Sequence, residues 1–222
     1  FGEYGIIKDS KGLAIPFNAF KGALKNEDVQ SAVAVESNSH LKKFASYLKS
    51  CVEKGEIDTA FDFELMFNDL KQGMYFDSSI PRGYGVGSSG AIVAAFYDKY
   101  ALEKITILEN LTREKLLHLK ALFGKMESHF HGSSSGLDPL NSYLSLPILI
   151  HSKQHIESTR IPSQNEVGKG AVFLLDSGMV GETAPMVNLF LENMKNEKYE
   201  RVIQEEFVTY TDACIEHFLK AD

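Results

Sequence analysis

The chain has 222 residues, 44% hydrophobic and 24% charged, with a formal net charge of −7 at pH 7. This is the composition of a folded globular protein with room for a sizeable core, and it excludes a largely disordered chain. The acidic balance argues against a nucleic-acid partner, which calls for a basic face, but it leaves room for an anionic substrate at a locally positive site.

In chain order, the opening F-G-E-Y-G-I-I at 1–7 is apolar and glycine-punctuated and predicts a strand and turn. Further strands are predicted at 12–20 and 30–35. The spacing of Leu41, Phe44, Ala45, Leu48 and Val52 predicts a helix over 39–52. Strands are expected at 61–67 and 73–76, followed by a glycine-rich loop and a helix over about 89–102. Leu116, Leu119, Phe123, Met126 and Phe130 form the clearest apolar stripe and predict a helix over 113–130 with Thr112 as its N-cap. The run S-S-S-G at 133–136 breaks that pattern. Strands are predicted at 143–151 and 171–176, and the polar, Pro162-containing stretch 152–169 between them reads as a boundary or a long connection. Helices are expected at 182–191 and 197–219. The irregular alternation of strands and helices indicates an α+β fold.

Two widely separated cysteines, Cys51 and Cys214, fit a reducing compartment and read as buried small apolar residues. The longest apolar runs, such as 144–150, are too short to cross a bilayer. A cytoplasmic protein without a membrane partner is expected. Because residue 1 is Phe, the chain is expected to be part of a longer protein.

The stretch with the most chemistry is P-R-G-Y-G-V-G-S-S-G-A at 81–91. Glycines allow backbone N–H groups to turn inward and approach a ligand closely. A helix start behind them adds unpaired N–H groups and partial positive charge, and the two together suit a phosphate. Ser88 and Ser89 add hydroxyls able to donate to phosphate or to ligate Mg²⁺. The spacing is neither that of the P-loop nor that of the dinucleotide fingerprint. The plain alternative is a flexible turn that caps a helix.

Pro81, Gly83, Gly85, Gly87, Ser88, Ser89 and Ala91 resemble the phosphate loop of the GHMP kinases, with Val86 and Gly90 as mild departures and Tyr84 as a bulkier one. F-G-E-Y-G-I-I resembles that family's opening strand, with Tyr4 where mevalonate kinases carry His. E-S-H-F-H-G-S-S-S-G-L-D at 127–138 resembles the mevalonate kinase stretch H-G-x-x-S-G-x-D, and L-L-D-S-G-M-V-G-E-T at 174–183 is similar to that of bacterial and archaeal mevalonate kinases.

The resemblance implies a two-domain α+β fold. Its ribosomal protein S5 domain 2-like N-terminal domain would cover 1–165, and a ferredoxin-like C-terminal domain would begin at 166–222. It also implies ATP and Mg²⁺ as cofactors, a small-molecule acceptor and room for a homodimer. ATP would lie on Pro81, Gly83, Gly85, Val86, Gly87, Ser88, Ser89 and Gly90. Mg²⁺ would lie on Ser89 and Glu127, and Asp138 would act as base or electrostatic anchor. The acceptor would meet Glu3, Tyr4, Ser135, Gly136 and Thr183. The family's Lys before F-G-E and its C-terminal glycine-rich segment are expected outside the 222 residues.

Read from the residues alone, Glu127 lies at the edge of the apolar stripe, where a carboxylate needs a partner or a cation. Asp138 precedes Pro139, which is expected to keep it out of helical geometry, and a simple turn aspartate is the alternative. His129 and His131 do not share a helix face and find no matching Cys or His cluster, so both read as structural. Mevalonate is the expected acceptor. A sugar, phosphomevalonate or a non-catalytic nucleotide-binding role are the competing readings.

Overall fold

The computed structural model describes residues 1–26, 31–108, 110–162, 175–176, 178–179, 181 and 183–220. The chain forms two compact units. One comprises Phe1–Ile15, Arg82–Gly85 and Leu146–Asp222, and the other comprises Pro16–Pro81 and Val86–Ser145.

The second unit is built on five helices and a hairpin. Helix α1 (Ala32–Glu53) starts at Ser31, whose side chain accepts from the Ala34 N–H. Its first turn takes up residues that read as a strand, because a good N-cap and the stripe behind it outweigh the β preference of Val33 and Val35, both solvent-exposed. Helix α2 (Phe63–Lys71) replaces the strand expected at 61–67; Asp62 caps it by accepting from the Leu65 N–H. Strands β2 (Gly22–Lys25) and β3 (Tyr75–Ser78) pair antiparallel, Gly22 opposite Ser78. Gly22 has no side chain because the Phe76 ring occupies that space, 2.2 Å from where a Cβ would stand. The strand at 22–25 was not expected from the sequence.

Helices α3 (Ser88–Tyr100), α4 (Arg113–His131) and α5 (Leu137–Leu144) close the unit, with α3 packed on both others. The α4 stripe is buried as its spacing predicts: Leu116, Leu119, Phe123 and Met126 are each at most 1% exposed. Burial of each such side chain contributes about 1.5–3 kcal/mol. Tyr97 stands edge-on to Phe123 and to Tyr143, and Phe44 edge-on to Phe96. Cys51 is buried, as expected.

Helix α5 departs from expectation. Asp138 is helical, and Pro139 follows it within the first turn. N–H groups there have no partner inside the helix, so proline removes no bond, and an acidic residue is favoured by the helix dipole.

Buried polar groups tie helices to strands. Asn38 donates to the carbonyls of Leu70 (3.0 Å) and Met74 (2.7 Å), and the Phe76 N–H donates to Ser37 Oγ. Asp69 accepts from Tyr100 Oη (2.9 Å) and Asn26 Nδ2 (3.2 Å) and pairs with Lys99 (2.7 Å).

In the other unit, a 3₁₀ turn (Gly5–Lys8) stands where the opening strand was expected. Strand β1 (Gly12–Ala14) is shorter than the 12–20 predicted. It pairs antiparallel with β4 (Ile148–Ser152), which in turn pairs antiparallel with β5 (His155–Ser158), giving the order β1-β4-β5. The polar stretch after 152 therefore contains a strand. Helix α6 (Thr183–Asn193) lies close to the expected one. The helix expected at 197–219 consists of α7 (Glu197–Val202), a π-helical segment (Ile203–Val208) and α8 (Thr209–Lys220). Cys214 on α8 is exposed, against expectation, since Ile215 takes the buried position. The strand expected at 171–176 falls mainly outside the described residues, as does the division expected between 165 and 166. Among the described residues no helix is long and apolar enough to cross a membrane.

Burial raises the pKa of Asp69, but hydrogen bonds from Lys99 and Tyr100, with the Lys99 charge, outweigh it and hold the carboxyl below its usual value. A carboxylate whose pKa is depressed on folding stabilises the protein above its unfolded pKa, about 3.9, and loses that contribution as pH falls through the folded value. Asp69→Asn should therefore be less stable than wild type by about 1–3 kcal/mol at neutral pH. In urea unfolding the gap between the two proteins should close as the pH drops below about 4; a gap independent of pH would show that the Lys99 pair contributes nothing.

Candidate active site

The candidate site lies in the second unit, where α3 begins and the loop between α4 and α5 returns. The loop ahead of α3 carries Gly83, Gly85 and Gly87 at φ of 78°, 67° and 73°, left-handed values that a side chain would disfavour. Pro81 and Val86 are half-buried; Gly83, Tyr84 and Gly85 are exposed. Gly87 is the N-cap of α3, and its carbonyl accepts the first helical bond, from Ala91. The N–H groups of Ser88, Ser89 and Gly90 therefore fall in the first turn, where a helix leaves its donors without intrahelical partners.

Glu127 is 4% exposed. Its Oε1 accepts from Ser89 Oγ at 2.8 Å and its Oε2 from Ser134 Oγ at 2.5 Å. Among the described residues no lysine or arginine pairs with it. Ser89 Oγ is also 3.0 Å from His131 Nε2. A serine has one proton to give, so when Ser89 donates it to Glu127, His131 Nε2 serves as the donor to Ser89.

Ser134 reaches Glu127 because two glycines let the loop cross α4. A Cβ on Gly136, at φ 75°, would stand 2.0 Å from the Lys120 carbonyl oxygen and 2.7 Å from the Gly124 nitrogen. A Cβ on Gly124 would stand 3.0 Å from the Ser134 carbonyl oxygen. Ser134 Oγ also accepts from the Gly136 N–H, and Ser135 Oγ from the Leu137 N–H.

Asp138 is exposed in the first turn of α5 and lies against the start of α3. Its carboxyl atoms are 3.9 Å from where a Cβ on Gly87 would be, and its backbone carbon is 2.8 Å from the same point on Gly90. The expected metal pair Ser89 and Glu127 is thus in direct contact, with Asp138 beside the same helix start. Ser135 is exposed and bonded within its own loop. Glu3 and Tyr4 belong to the other unit, where the Tyr4 ring packs at 5.1 Å on that of Phe190, tilted by 43°. Thr183 opens α6, and its side chain is outside the described residues.

Ser134 and His131 were not singled out as site residues from the sequence. Only the run of three serines hinted at the first. Nothing local distinguished which serine turns inward. His129, by contrast, packs on Phe44 and Tyr47, and burial, with Lys43 nearby, lowers its pKa.

The close approach at Gly90 makes a definite demand. Gly90→Ala would place its Cβ 2.8 Å from the backbone of Asp138 and Pro139, which only a shift of α5 can relieve. A stability loss of about 1–3 kcal/mol is expected. Gly136→Ala, with the tighter contact and a positive φ, should lose more. Thermal unfolding of the two variants checks that order.

Residues 40–145 match the family described as GHMP kinases N terminal domain. No curated protein and no solved structure matches the chain. The matched residues include Gly87, Ser88, Ser89, Glu127, Ser134 and Asp138, the whole of the constellation just described. Residues 40–145 are accordingly similar to the N-terminal domain of the GHMP kinases.

Proposed function

We propose that this protein is an ATP-dependent small-molecule kinase that transfers the γ-phosphoryl group to an acceptor hydroxyl, with mevalonate as the acceptor and 5-phosphomevalonate as the product. The observation that carries the reading is the buried Glu127 carboxylate bonded to Ser89 at the start of α3. A family of ATP-using kinases matching 40–145 supports it. The H-G-x-x-S-G-x-D resemblance at 131–138 supports the choice of acceptor.

The donor set fits Mg²⁺. A carboxylate and hydroxyls are hard oxygen ligands, and Mg²⁺ takes one or two protein ligands while keeping water and phosphate oxygens. Ser89 and Glu127 would hold it; when bound it offsets the charge on the nucleotide phosphates. The first-turn N–H groups at 88–90 would donate to the same phosphates. His131 would orient the Ser89 hydroxyl, and Ser134 would fix the Glu127 carboxylate.

Asp138 would accept a hydrogen bond from the acceptor hydroxyl. As the acceptor oxygen bonds to the γ-phosphorus, the bond from that phosphorus to the bridging oxygen breaks. The hydroxyl proton then passes to the Asp138 carboxylate. Phosphoryl transfer needs positioning and charge neutralisation more than a strong base, so an exposed carboxylate at a rigid helix start is adequate.

One observation favours a second acceptor within the same superfamily. Tyr4, at the position where mevalonate kinases carry His, packs on Phe190. Turnover of ATP with mevalonate, phosphomevalonate and a set of sugars decides between them, and absence of turnover with all would favour a nucleotide-binding protein without activity.

Asp138→Asn should lower kcat by about two to four orders of magnitude while leaving ATP affinity nearly unchanged. A kcat within about threefold of wild type would remove Asp138 from the chemistry, unless product release limits the rate. Glu127→Gln should raise the Mg²⁺ concentration needed for half-maximal activity by at least about tenfold. An unchanged Mg²⁺ titration would reduce Glu127 to a structural role.

A further inference from the structure

The β4–β5 hairpin carries a cluster that the kinase reading does not use. Ile148, Ile150 and Ile156 point one way and are buried at 5% exposure or less. Strand alternation sends Leu149, His151, His155 and Glu157 to the other face. A bulge strengthens the convergence. Ile150 pairs with Ile156 and Ser152 with His155, so His151 is the extra residue between two paired positions. Bulges of this kind re-aim a side chain. His151 Nε2 lies 2.8 Å from Glu157 Oε1, the rings of His151 and His155 stack 4.3 Å apart at 27°, and one ligand atom from each of the three residues lies within 4.8 Å of the others. The turn is anchored by the Lys153 N–H donating to Asp9 Oδ1.

We propose that His151, His155 and Glu157 form a binding site for a divalent first-row transition ion, with Zn²⁺ as the ion it takes under ordinary conditions. Two imidazoles and one carboxylate form a donor set of intermediate softness. It is poor in oxygen for Ca²⁺ or Mg²⁺ and lacks the thiolates that select Cu(I) or iron–sulfur clusters. Zn–N and Zn–O bonds of 2.0–2.2 Å place tetrahedral ligand atoms about 3.3–3.5 Å apart. The three donor atoms, already within 4.8 Å of one another, have to draw together to reach that spacing. Binding replaces the proton that His151 Nε2 shares with Glu157. Three protein ligands leave the fourth position to water or an added group. Because the ligands come from both strands, the ion clips the hairpin across its bulge.

The test is calorimetric titration of the chelator-stripped protein with Zn²⁺ alone, alongside thermal unfolding with and without Zn²⁺. Wild type should bind a stoichiometric ion and unfold at a higher temperature with it, since a ligand held only by the folded state stabilises that state. Glu157→Gln is a surface change, and His155→Gln alters a half-buried side chain outside the core. Each should weaken that binding by at least about tenfold and remove the thermal shift. The doubly substituted Cys214→Ser, His217→Gln protein, which removes an exposed thiol and an imidazole elsewhere, on α8, should bind as wild type does. Binding that persists unchanged in His155→Gln and Glu157→Gln, or that disappears in the α8 variant instead, would overturn the proposal, as would absence of Zn²⁺ binding by wild type.

Discussion

The candidate site depends on one buried carboxylate. Removing a charged carboxylate from water costs several kcal/mol unless a countercharge and hydrogen bonds replace the lost hydration. Glu127 has the hydrogen bonds, from Ser89 and Ser134, but among the described residues it has no basic partner. Hydroxyls satisfy lone pairs without supplying net charge. A position like this is costly in a protein whose function does not use it. It is favourable where a cation joins two hydroxyls and a carboxylate already held in place. The same arrangement fixes the order of assembly. Ser89 belongs to the start of α3, Glu127 to the last third of α4 and Ser134 to the loop that follows, so the cluster forms only when all three pieces have packed.

That packing rests on the absence of side chains. At Gly90, Gly124 and Gly136 the backbone of a neighbouring segment occupies the space a Cβ would need. These three positions bring the beginnings of α3 and α5 together and draw the serine loop across α4. Only Gly136 also needs its positive φ. At Gly90 and Gly124 the requirement is room alone, and any larger residue would separate elements that carry Ser89, Glu127 and Asp138. The aromatic cluster of Tyr97, Phe123 and Tyr143 joins the same three helices. The candidate-site end can therefore be tight and polar while the apolar contacts supply the stability.

Elements that declare themselves by periodicity were legible in the sequence. The α4 stripe and the 41–48 face of α1 are helical in pattern and, apart from the half-buried Phe130, buried in fact. Where residue preference and capping disagreed, capping won. Val33 and Val35 favour a strand, yet Ser31 opens a helix through them. The aromatic run at 61–67 favours a strand, yet Asp62 caps α2. Pro139 hid α5, because proline was taken as a stop although the first turn of a helix tolerates it. The hairpin strand at 155–158 was hidden because only Ile156 faces the core, which leaves a polar sequence that reads as connection.

The candidate site was legible to a different degree for each residue. The glycine–serine loop and the spacing of Glu127 and Asp138 carry the resemblance, and Ser89, Glu127 and Asp138 come together within one unit. The sequence could not tell which of three consecutive serines faces Glu127. That choice goes with the backbone of the loop, where Gly132 and Gly136 both take positive φ; Ser134 turns inward and Ser135 bonds within its own loop. His131 was read as structural because it shares no helix face with His129 and no Cys or His cluster in the sequence matched it. Its partner is Ser89, 42 positions earlier in the chain. The His151–His155–Glu157 cluster escaped for a related reason. A spacing of four suggests a shared helix face, whereas here the register across a hairpin and one inserted residue bring the side chains together. In each case the residue type was visible and the pairing was not. Pairing across elements is decided by backbone geometry at a few special positions, and linear spacing carries that information only when a single regular element holds all the partners.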